Sequence, residues 1–589
     1  MKKELKSLLH CITACGVVGL TGCGGEGNTT QSYAKEIMSQ EIMADINMSS
    51  YGGLVVTDGS VADYAELFIA ASRLGGDTTD TVSTNTVEAY AQPAPNLTAE
   101  NLDYHLEGDA GFELSFFGSN DSSKFQSGLG PVQNHNNCDA CHPRDGRASM
   151  PYVPHKDFDD TMFVDENGFR KLRHSGVFLR ISIENDQTKN ATKSESNSWG
   201  APVAVPNFSD QLFHRGSTGV RDAKDGLGAG QADVWLKYKT KTIRYPDGNT
   251  IELSRPYLFM DNPYDDPDDP MVFNDRAFSK DSKSALFRDD VKTGIRIGMP
   301  MTGLGLLGAI KEADILALAD PDDADGDGIS GKPNWVYDQE KANYCKPLNL
   351  CDQEQYKPIS LGRYGWKANT PTVAHQGLGA MRGDMGVTNP LFPMESTAGT
   401  DLMRAYKAKN PNFKTYCDNN KTDADEEFSK SIVFYSETLA VPQRRDVNDA
   451  EVKRGGALFS AIGCVKCHTP SFVTASTSPS FSVDGSIGEL TNQVIYPYTD
   501  MLLHDMGPDL ADGREDFDAT GSEWKTRPLW GVGLTQQVNP IAGFLHDGRA
   551  RTLEEAIIWH GGEAEEIKVH FMKLSKSNRD AIVKFLESL

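Results

Sequence analysis

The sequence predicts a mainly α-helical protein made of two related halves, the first of which is interrupted by a large insertion that contains β-strands. The pattern Cys-x-x-Cys-His occurs twice, beginning at Cys138 and at Cys464. A Trp-Lys…Pro segment follows each pattern, at Trp366 and at Trp524, and each segment leads to a polar turn. Such self-similarity indicates a tandem duplication. Residues from about 150 to 335 instead contain stretches of alternating apolar and polar side chains, which are typical of strands.

The N-terminus has the features of a bacterial lipoprotein signal. A lysine-rich start precedes the short apolar stretch Leu8–Leu20, and the residues ending at Cys23 (Leu-Thr-Gly-Cys) resemble a lipobox. We therefore predict that residues 1–22 are a signal peptide and that Cys23 is lipidated. Gly24 stands where an aspartate would favour the inner membrane, so the expected location is the outer membrane, facing the periplasm. A signal cleaved elsewhere would leave a soluble periplasmic protein.

Beyond this signal, no run approaches the ~20 apolar residues that a membrane-spanning helix needs. The membrane is therefore expected to be contacted by the lipid alone. Residues 23–96 are predicted to form a tether, because they become rich in Thr and Ser and end at Pro93 and Pro95.

Both Cys-x-x-Cys-His patterns predict covalent attachment of a c-type haem. The two thiols add across the porphyrin vinyl groups, and the adjoining histidine ligates the iron. The alternatives are half of a zinc site and a redox disulfide, but zinc needs further Cys or His at short spacing, which both places lack. The predicted attachment residues are Cys138, Cys141 and His142 for the first haem and Cys464, Cys467 and His468 for the second.

These motifs divide the chain into two cytochrome c-like haem domains. The first covers residues 97–440 and carries the insertion at about 150–335, and the second covers residues 441–589. Within the insertion, period-two patterns predict strands at Val177–Ile181 and Trp235–Tyr245.

A helix is predicted near the C-terminus. Thr552-Leu-Glu-Glu has the form of a capping box, and the helix that it opens places Leu553, Ala556, Ile557 and His560 on one face.

An acidic loop has the front half of a calcium-binding pattern. Asp323, Asp325 and Asp327 occupy its first, third and fifth positions, and a glycine follows. The twelfth position is Asn334, so the usual bidentate glutamate is absent. We predict that the loop binds calcium, because carboxylates this close repel one another without a cation; the alternative is a solvated acidic loop.

The remaining cysteines are few. In an oxidising compartment, Cys345 and Cys351 are expected to form a disulfide, which leaves Cys417 as an odd thiol.

The net charge of −25 argues against nucleic acid or anionic lipid as a partner. The same charge allows a basic electron donor, such as a small cytochrome or a copper protein, to be attracted from the periplasm.

Several segments carry a family resemblance. The stretch Phe544–Ala556 is the most specific, and five others are Gly128–Pro131, Gly303–Leu307, Asp320–Gly331, Leu361–Ala368 and Leu503–Pro508. Together they resemble the signatures of the di-haem oxidoreductases, within the superfamily of the bacterial di-haem cytochrome c peroxidases and the di-haem maturases of methylamine dehydrogenase. The resemblance extends from about residue 100 to the end of the chain.

The resemblance implies that the second haem receives electrons and passes them to the first, whose iron has or acquires an open position where hydrogen peroxide is reduced. For the second iron it favours Met506 as the remaining ligand, since a thioether raises the potential. His504 and His546 are the alternatives.

The expectations for the first haem are less specific. Met385 is the candidate sixth ligand, and His105, His135 and His375 are the alternatives. The peroxidases also use a carboxylate near the open iron to move a proton between the peroxide oxygens. Glu395 is the candidate for that role.

The sequence therefore predicts an exported, peroxidase-like di-haem enzyme. The alternatives are a non-catalytic periplasmic electron carrier and a redox component of a periplasmic iron-handling system, because fold alone does not separate these functions.

Overall fold

The structure is a computed structural model, and the residues that it describes are 71–118, 127–149, 168–172, 176–183, 200–216, 230–266, 272–273, 283–413 and 415–589. The predicted signal peptide, the lipobox and the beginning of the tether lie outside the described residues. Within those ranges, none of the helices has the length and apolar character required to cross a membrane.

Short helices and short strands alternate along the described chain. The helices are α1 (Ala99–Glu113), α2 (Leu304–Gly308), α3 (Glu312–Leu316), α4 (Gln339–Cys345), α5 (Val373–Ala380), α6 (Asp401–Lys409), α7 (Tyr416–Asn419), α8 (Glu426–Thr438), α9 (Ala450–Ala461), α10 (Thr535–Val538), α11 (Leu553–Trp559), α12 (Glu565–Lys573) and α13 (Lys576–Ser588). The strands are β1 (Thr79–Asp80), β2 (Phe117–Gly118), β3 (Ser127–Leu129), β4 (Val132–Gln133), β5 (Arg170–Lys171), β6 (Val177–Ile183), β7 (Gln211–Leu212), β8 (Arg215–Gly216), β9 (Asp233–Arg244), β10 (Thr250–Asp261), β11 (Val272–Phe273), β12 (Val291–Ile297), β13 (Trp335–Tyr337), β14 (Ile359–Leu361), β15 (Val441–Pro442), β16 (Phe472–Val473), β17 (Val494–Ile495), β18 (Leu503–Asp505) and β19 (Glu523–Lys525).

The prediction of a mainly α-helical protein built of two cytochrome c-like domains is wrong. Helices of all types make up 32% and strands 19% of the structure, and strands lie outside the insertion as well as within it. The pairs β16–β17 and β18–β19, for example, lie in the second half, after the second motif. Strands of two or three residues are too short to display a period-two pattern, so the sequence gives no sign of them. The fold is mixed α/β with many small sheets.

The larger sheets lie in the insertion. Strands β9 and β10 form a long antiparallel hairpin in which Arg244 pairs with Thr250, and β5 and β11 extend it to four strands. Strand β6 lies between β12 and β7 in a second sheet. The strand predicted at Val177–Ile181 is confirmed as part of β6, and that predicted at Trp235–Tyr245 is confirmed in β9, which ends one residue earlier, at Arg244.

Each motif follows a helix that crosses a second helix at a glycine. On α1, a Cβ added to Gly108 would lie 2.2 Å from the carbonyl oxygen of Ser431 on α8. On α9, a Cβ added to Gly455 would lie 1.8 Å from the carbonyl oxygen of Ala581 on α13. No side chain fits between the backbones at either crossing. These crossings fix the two helices that precede the motifs.

One hydrophobic core joins both halves. It contains Leu74, Phe112 beside the first motif, Phe459 beside the second and the terminal Leu589. The part of the predicted tether that the structure describes, from residue 71, packs into the same body, where β1 pairs in parallel with β15.

The tip of the β9–β10 hairpin reaches helices of the second half. Tyr245 Oη donates a hydrogen bond to Glu554 Oε1 at 2.7 Å. The Arg579 guanidinium lies 4.0 Å from the centre of the Tyr245 ring and pairs with Asp247 at 2.7 Å. Leu253 of β10 is 4% exposed and belongs to the common core. The insertion is therefore anchored to the second half as well as to the first.

Leu253→Ala should lower the free energy of unfolding by about 2–5 kcal/mol, because truncating a buried leucine loses transfer free energy and leaves a cavity. Glu252→Ala, on the exposed face of the same strand, is the matched control and should change it by less than about 0.5 kcal/mol. Urea denaturation of the two variants measures the difference. Equal midpoints would contradict the anchoring role of the hairpin.

Candidate functional site

The second Cys-x-x-Cys-His pattern opens onto a cavity of about 240 Å³. Gly463, with φ of +101°, turns the chain between α9 and the short 3-10 turn that begins at Cys464. L side chains rarely adopt such a φ, which explains the glycine. Cys464, Cys467 and His468 all line the cavity, so the turn presents both thiols and the imidazole to one space.

A backbone carbonyl orients the imidazole of His468. Its Nδ1 donates to the Tyr498 carbonyl oxygen at 2.9 Å, and Nε2 has no partner within the described residues. Burial lowers the pKa of His468 to about 4, so the ring is neutral. Phe459 of α9 packs beside it, with 6.1 Å between ring centres. A neutral imidazole held through Nδ1 is the arrangement of metal-ligating histidines.

The first pattern repeats this geometry. His142 Nδ1 donates to the Met299 carbonyl oxygen at 2.7 Å, and burial lowers the pKa of His142. Phe112 of α1 lies 6.4 Å away between ring centres. Cys141 packs closely against Gly298, where an added Cβ would lie 2.3 Å from the Cys141 carbonyl oxygen. Two separate places in the chain therefore hold a histidine in the same way.

Helix α11 forms another wall of the second cavity. The capping hydrogen bond predicted at its start is present, and Leu553, Ala556, Ile557 and His560 all line the cavity. The His560 ring is held like that of His468: Nδ1 donates to the Ala556 carbonyl oxygen at 2.7 Å, and Nε2 has no partner among the described groups. Burial is the main cause of the lowered pKa of His468, and the electrostatic effect of the nearby His560 lowers it further. Sequence analysis placed His560 on this helix face without assigning it a role.

Met506 borders the same cavity. A Cβ added to Gly507 would lie 2.8 Å from the backbone nitrogen of Gly562, so the loop that carries Met506 is pressed against the chain just after His560. Both a thioether and an imidazole are thus available to this cavity.

His504 is engaged at both ring nitrogens. Its Nε2 lies 2.7 Å from Asp500 Oδ2 and its Nδ1 lies 2.8 Å from Glu563 Oε2. Burial opposes a charge on this ring, but the hydrogen bonds to Asp500 and its other partners outweigh burial and hold the pKa of His504 well above its ordinary value. A doubly protonated imidazole has no lone pair for a metal. His504 lies 3.7 Å from Cys467 Sγ, but the engagement of both its ring nitrogens by carboxylates makes it unsuitable as an iron ligand.

The two copies of the Trp-Lys repeat meet in space. Lys525 N donates to the Trp366 carbonyl oxygen at 3.0 Å, and Lys367 Nζ lies 4.5 Å from the centre of the Trp524 ring. His546 stacks on Trp524 with 3.8 Å between ring centres and meets Trp366 edge-on at 6.4 Å. Burial lowers the pKa of His546 to about 3. Its ring is therefore a neutral aromatic link between the two copies.

Met385 is buried in the common core. Its carbonyl oxygen accepts from Gly130 N at 3.0 Å, which ties its turn to the segment before the first motif. Burial, followed by the charge of the adjacent Asp384, raises the pKa of the Cys141 thiol. The Met385 turn therefore lies close to the first motif, although no hydrogen bond or ring contact joins it to His142 within the described residues.

The other candidates for the first site have separate surroundings. Glu395 Oε1 accepts a backbone N–H at 3.1 Å, while its Oε2 is buried without a hydrogen-bond partner in the described chain. Burial raises the pKa of Glu395. His105 bonds a threonine hydroxyl at 2.7 Å, His375 packs against a phenylalanine ring, and His135 is half-buried shortly before the first motif.

The acidic loop gathers a different trio of carboxylates from the predicted one. Asp320, Asp323 and Asp325 place carboxylate oxygens within 4.8 Å of one another. Asp327 instead pairs with Lys466 at 3.0 Å. Lys466 lies inside the second Cys-x-x-Cys-His pattern, so the acidic loop is tied directly to that motif.

The predicted disulfide between Cys345 and Cys351 is present. Cys417 is an exposed thiol whose Sγ lies 3.7 Å from Met394 Sδ. These three cysteines take no part in either motif.

Comparison with known proteins gives one match. A family model described as "Di-haem oxidoreductase, putative peroxidase" matches residues 68–589. No curated protein and no solved structure matches the chain. The matched range includes both Cys-x-x-Cys-His patterns, both Trp-Lys segments and the cavity with its histidines. The chain therefore belongs to the family of di-haem oxidoreductases.

Proposed function

We propose that the protein is an exported di-haem c-type oxidoreductase that reduces hydrogen peroxide or a similar small substrate, with electrons passing from the Cys464 site to the Cys138 site. The observation that carries the proposal is the pair of motif histidines, each of which donates from Nδ1 to a backbone carbonyl; the second also borders a largely apolar cavity. Family membership supports the oxidoreductase class.

The residues around the Cys464 cavity fit a covalently bound haem. Cys464 and Cys467 would form the thioether bonds, His468 Nε2 would ligate the iron, and apolar side chains such as Leu553 and Ile557 would pack against the porphyrin. When bound, such haems supply one-electron redox centres and, at an iron with an open position, a place to reduce peroxide. The protein excludes water with its apolar walls and keeps the imidazole neutral and oriented.

The proposed direction of electron flow follows from coordination. The Cys464 cavity offers two protein groups that can complete an iron's coordination, and an iron closed in this way exchanges electrons without binding substrate. His560 is the favoured sixth ligand, because its ring is held through Nδ1 and interacts electrostatically with His468. Met506 is the alternative. The contact of Trp366, His546 and Trp524 supports electron transfer between the two halves. Electron tunnelling weakens with distance, and rings in contact shorten the gaps that the electron must cross.

For the Cys138 site, Met385 is proposed as a ligand of the resting iron and Glu395 as the carboxylate that moves the peroxide proton. The position of the Met385 turn near Cys141 supports the first proposal. The raised pKa and buried, unpartnered Oε2 of Glu395 support the second.

The test is a spectrum of the reduced protein with and without carbon monoxide, combined with peroxide turnover in the presence of a reduced donor. A small basic cytochrome or copper protein is the proposed donor, and turnover should fall as salt screens the attraction. On reduction we expect the Cys138 iron to release Met385 and to bind carbon monoxide, and Glu395→Gln to slow turnover at unchanged haem content. A protein with two closed irons and no turnover would be an electron carrier.

The proposed location is tested separately. Cys23→Ser should move the protein from membranes into the periplasmic fraction without loss of haem, because Cys23 lies outside the matched family region. Unchanged sedimentation with membranes would refute the lipid anchor.

We also propose that calcium binds the carboxylates of Asp320, Asp323 and Asp325. A ligand bound only to the folded state stabilises it by about 2.7 kcal/mol at a concentration of one hundred times its Kd. Chelation should therefore lower the thermal midpoint, and added calcium should restore it. Asp323→Asn should remove the dependence on chelator, whereas Asp352→Asn, at an exposed carboxylate outside the loop, should retain it. A midpoint indifferent to calcium would favour a solvated acidic loop.

A further inference from the structure

Two arginines border the cavity at Cys464. Arg147 comes from the segment that follows the first motif, and Arg527 comes from the second Trp-Lys…Pro segment. Their guanidinium carbons lie 5.3 and 5.1 Å from the centre of the Trp366 ring. Two cations from different halves of the chain therefore meet at one place on the cavity wall.

Arg527 has no anionic partner in the described part of the chain. Its guanidinium lies against the Trp366 ring, and among the described residues it takes part in no hydrogen bond or ion pair. Burial, followed by the charge of Arg147, lowers the pKa of Arg527 to about 9. Enclosed arginines are ordinarily paired with a carboxylate, because removing a cation from water is costly.

The carboxylates in this part of the fold already pair with other arginines. Asp512 and Asp516 pair with Arg296 at 2.9 and 3.1 Å. Asp547 pairs with the guanidinium of the arginine two residues later at 2.7 Å. The protein thus supplies carboxylates to other buried arginines of this region but not to Arg527. Arg527 is suited to an anion that lies inside the cavity.

We propose that Arg527 and Arg147 are the counter-ions of the haem propionates at the Cys464 site. The inference rests on the proposed function, because it takes the cavity to be the haem site. A c-type haem carries its two propionates on the edge away from its thioether bonds, and those bonds are fixed here at Cys464 and Cys467. The planar guanidinium fork matches a carboxylate and can form two parallel hydrogen bonds with it.

This assignment orients the haem within the cavity. The propionate edge faces Arg147, and therefore the segment of the first motif. A cation beside the haem disfavours the ferric state, so both arginines raise the reduction potential of the Cys464 haem. Through Arg147, the first half of the chain would contribute to the potential of the second site.

The experiment is a spectroelectrochemical titration of the holoprotein and its Arg527→Gln, Arg527→Lys and Arg147→Gln variants. Arg527→Gln should shift the reduction equilibrium of the Cys464 haem about tenfold toward the ferric state, which is about 59 mV for a one-electron couple. Arg527→Lys keeps the charge and should recover most of the shift. Arg147→Gln should lower the same midpoint. Arg363→Gln is the matched control, since that buried guanidinium is satisfied by two backbone carbonyls and its loss should shift the midpoint less.

Haem content separates the possible failures. A wild-type protein without covalent haem at Cys464 would overturn the proposed function and this inference with it. Two haems per chain and an unchanged midpoint in Arg527→Gln would overturn the inference alone. A shift in Arg527→Lys as large as that in Arg527→Gln would also overturn it, because the charge would then not be the cause.

Discussion

Replacing Cys138 and Cys141 together with alanine should remove half of the covalent haem and all peroxide turnover, while the protein still accepts electrons from a reduced donor. On the proposed function, the two thiols of this motif hold one porphyrin, and attachment at the Cys464 site does not depend on them. A pyridine haemochrome assay measures haem per chain, and stopped-flow reduction measures electron uptake.

The double variant Cys464→Ala/Cys467→Ala is the matched counterpart. It should also retain half of the haem, but it should lose rapid electron uptake, because the proposed entry site is gone. Cys417→Ala controls for the loss of a thiol outside the motifs and should keep both haems. Full haem content in the Cys138/Cys141 variant would refute attachment at the first motif. Rapid uptake without the Cys464 haem would reverse the proposed direction of electron flow.

His560→Ala should convert the iron of the Cys464 haem from low-spin to high-spin and let it bind carbon monoxide. The change removes an imidazole whose Nδ1 is anchored at Ala556, leaving the sixth position without a protein ligand. Absorption and electron paramagnetic resonance spectra of the oxidised protein measure the spin state. His560→Met should keep the iron low-spin with a higher potential, because a thioether stabilises ferrous iron.

Met506→Leu is the matched control for that experiment, because it removes the other candidate ligand from the same cavity. If His560 is the ligand, the leucine variant should keep the wild-type spectrum. The opposite pattern, with a changed spectrum in Met506→Leu and none in His560→Ala, would assign the thioether that sequence analysis favoured.

The sequence predicts those features that depend on short-range pattern. The two Cys-x-x-Cys-His motifs, the helix opened at Thr552 and the strand at Val177 are each encoded within a few consecutive residues, so period and spacing identify them. The same holds for the disulfide between Cys345 and Cys351, which closes a short loop.

Features that depend on distant contacts were not predictable in this way. The two-residue strands of the small sheets exist only because a distant segment pairs with them, as Val494–Ile495 does with β16. Asp320 belongs to the acidic cluster, whereas Asp327 forms an ion pair with Lys466, which is distant in sequence. His560 borders the cavity because a whole helix packs there. Tertiary packing decides each of these outcomes.

The way the chain closes on itself has a consequence for its biosynthesis. Strand β1 pairs with β15, the tip of the β9–β10 hairpin pairs with Arg579, and Leu589 is fully buried. Contacts between such distant segments form slowly, because long loops must close before the contacts can stabilise them. A chain truncated before α13 should therefore leave both cysteine pairs reactive toward a thiol reagent. On the proposed function, haem attachment would then act on an open polypeptide, and the pairing of these distant segments would enclose both porphyrins afterwards.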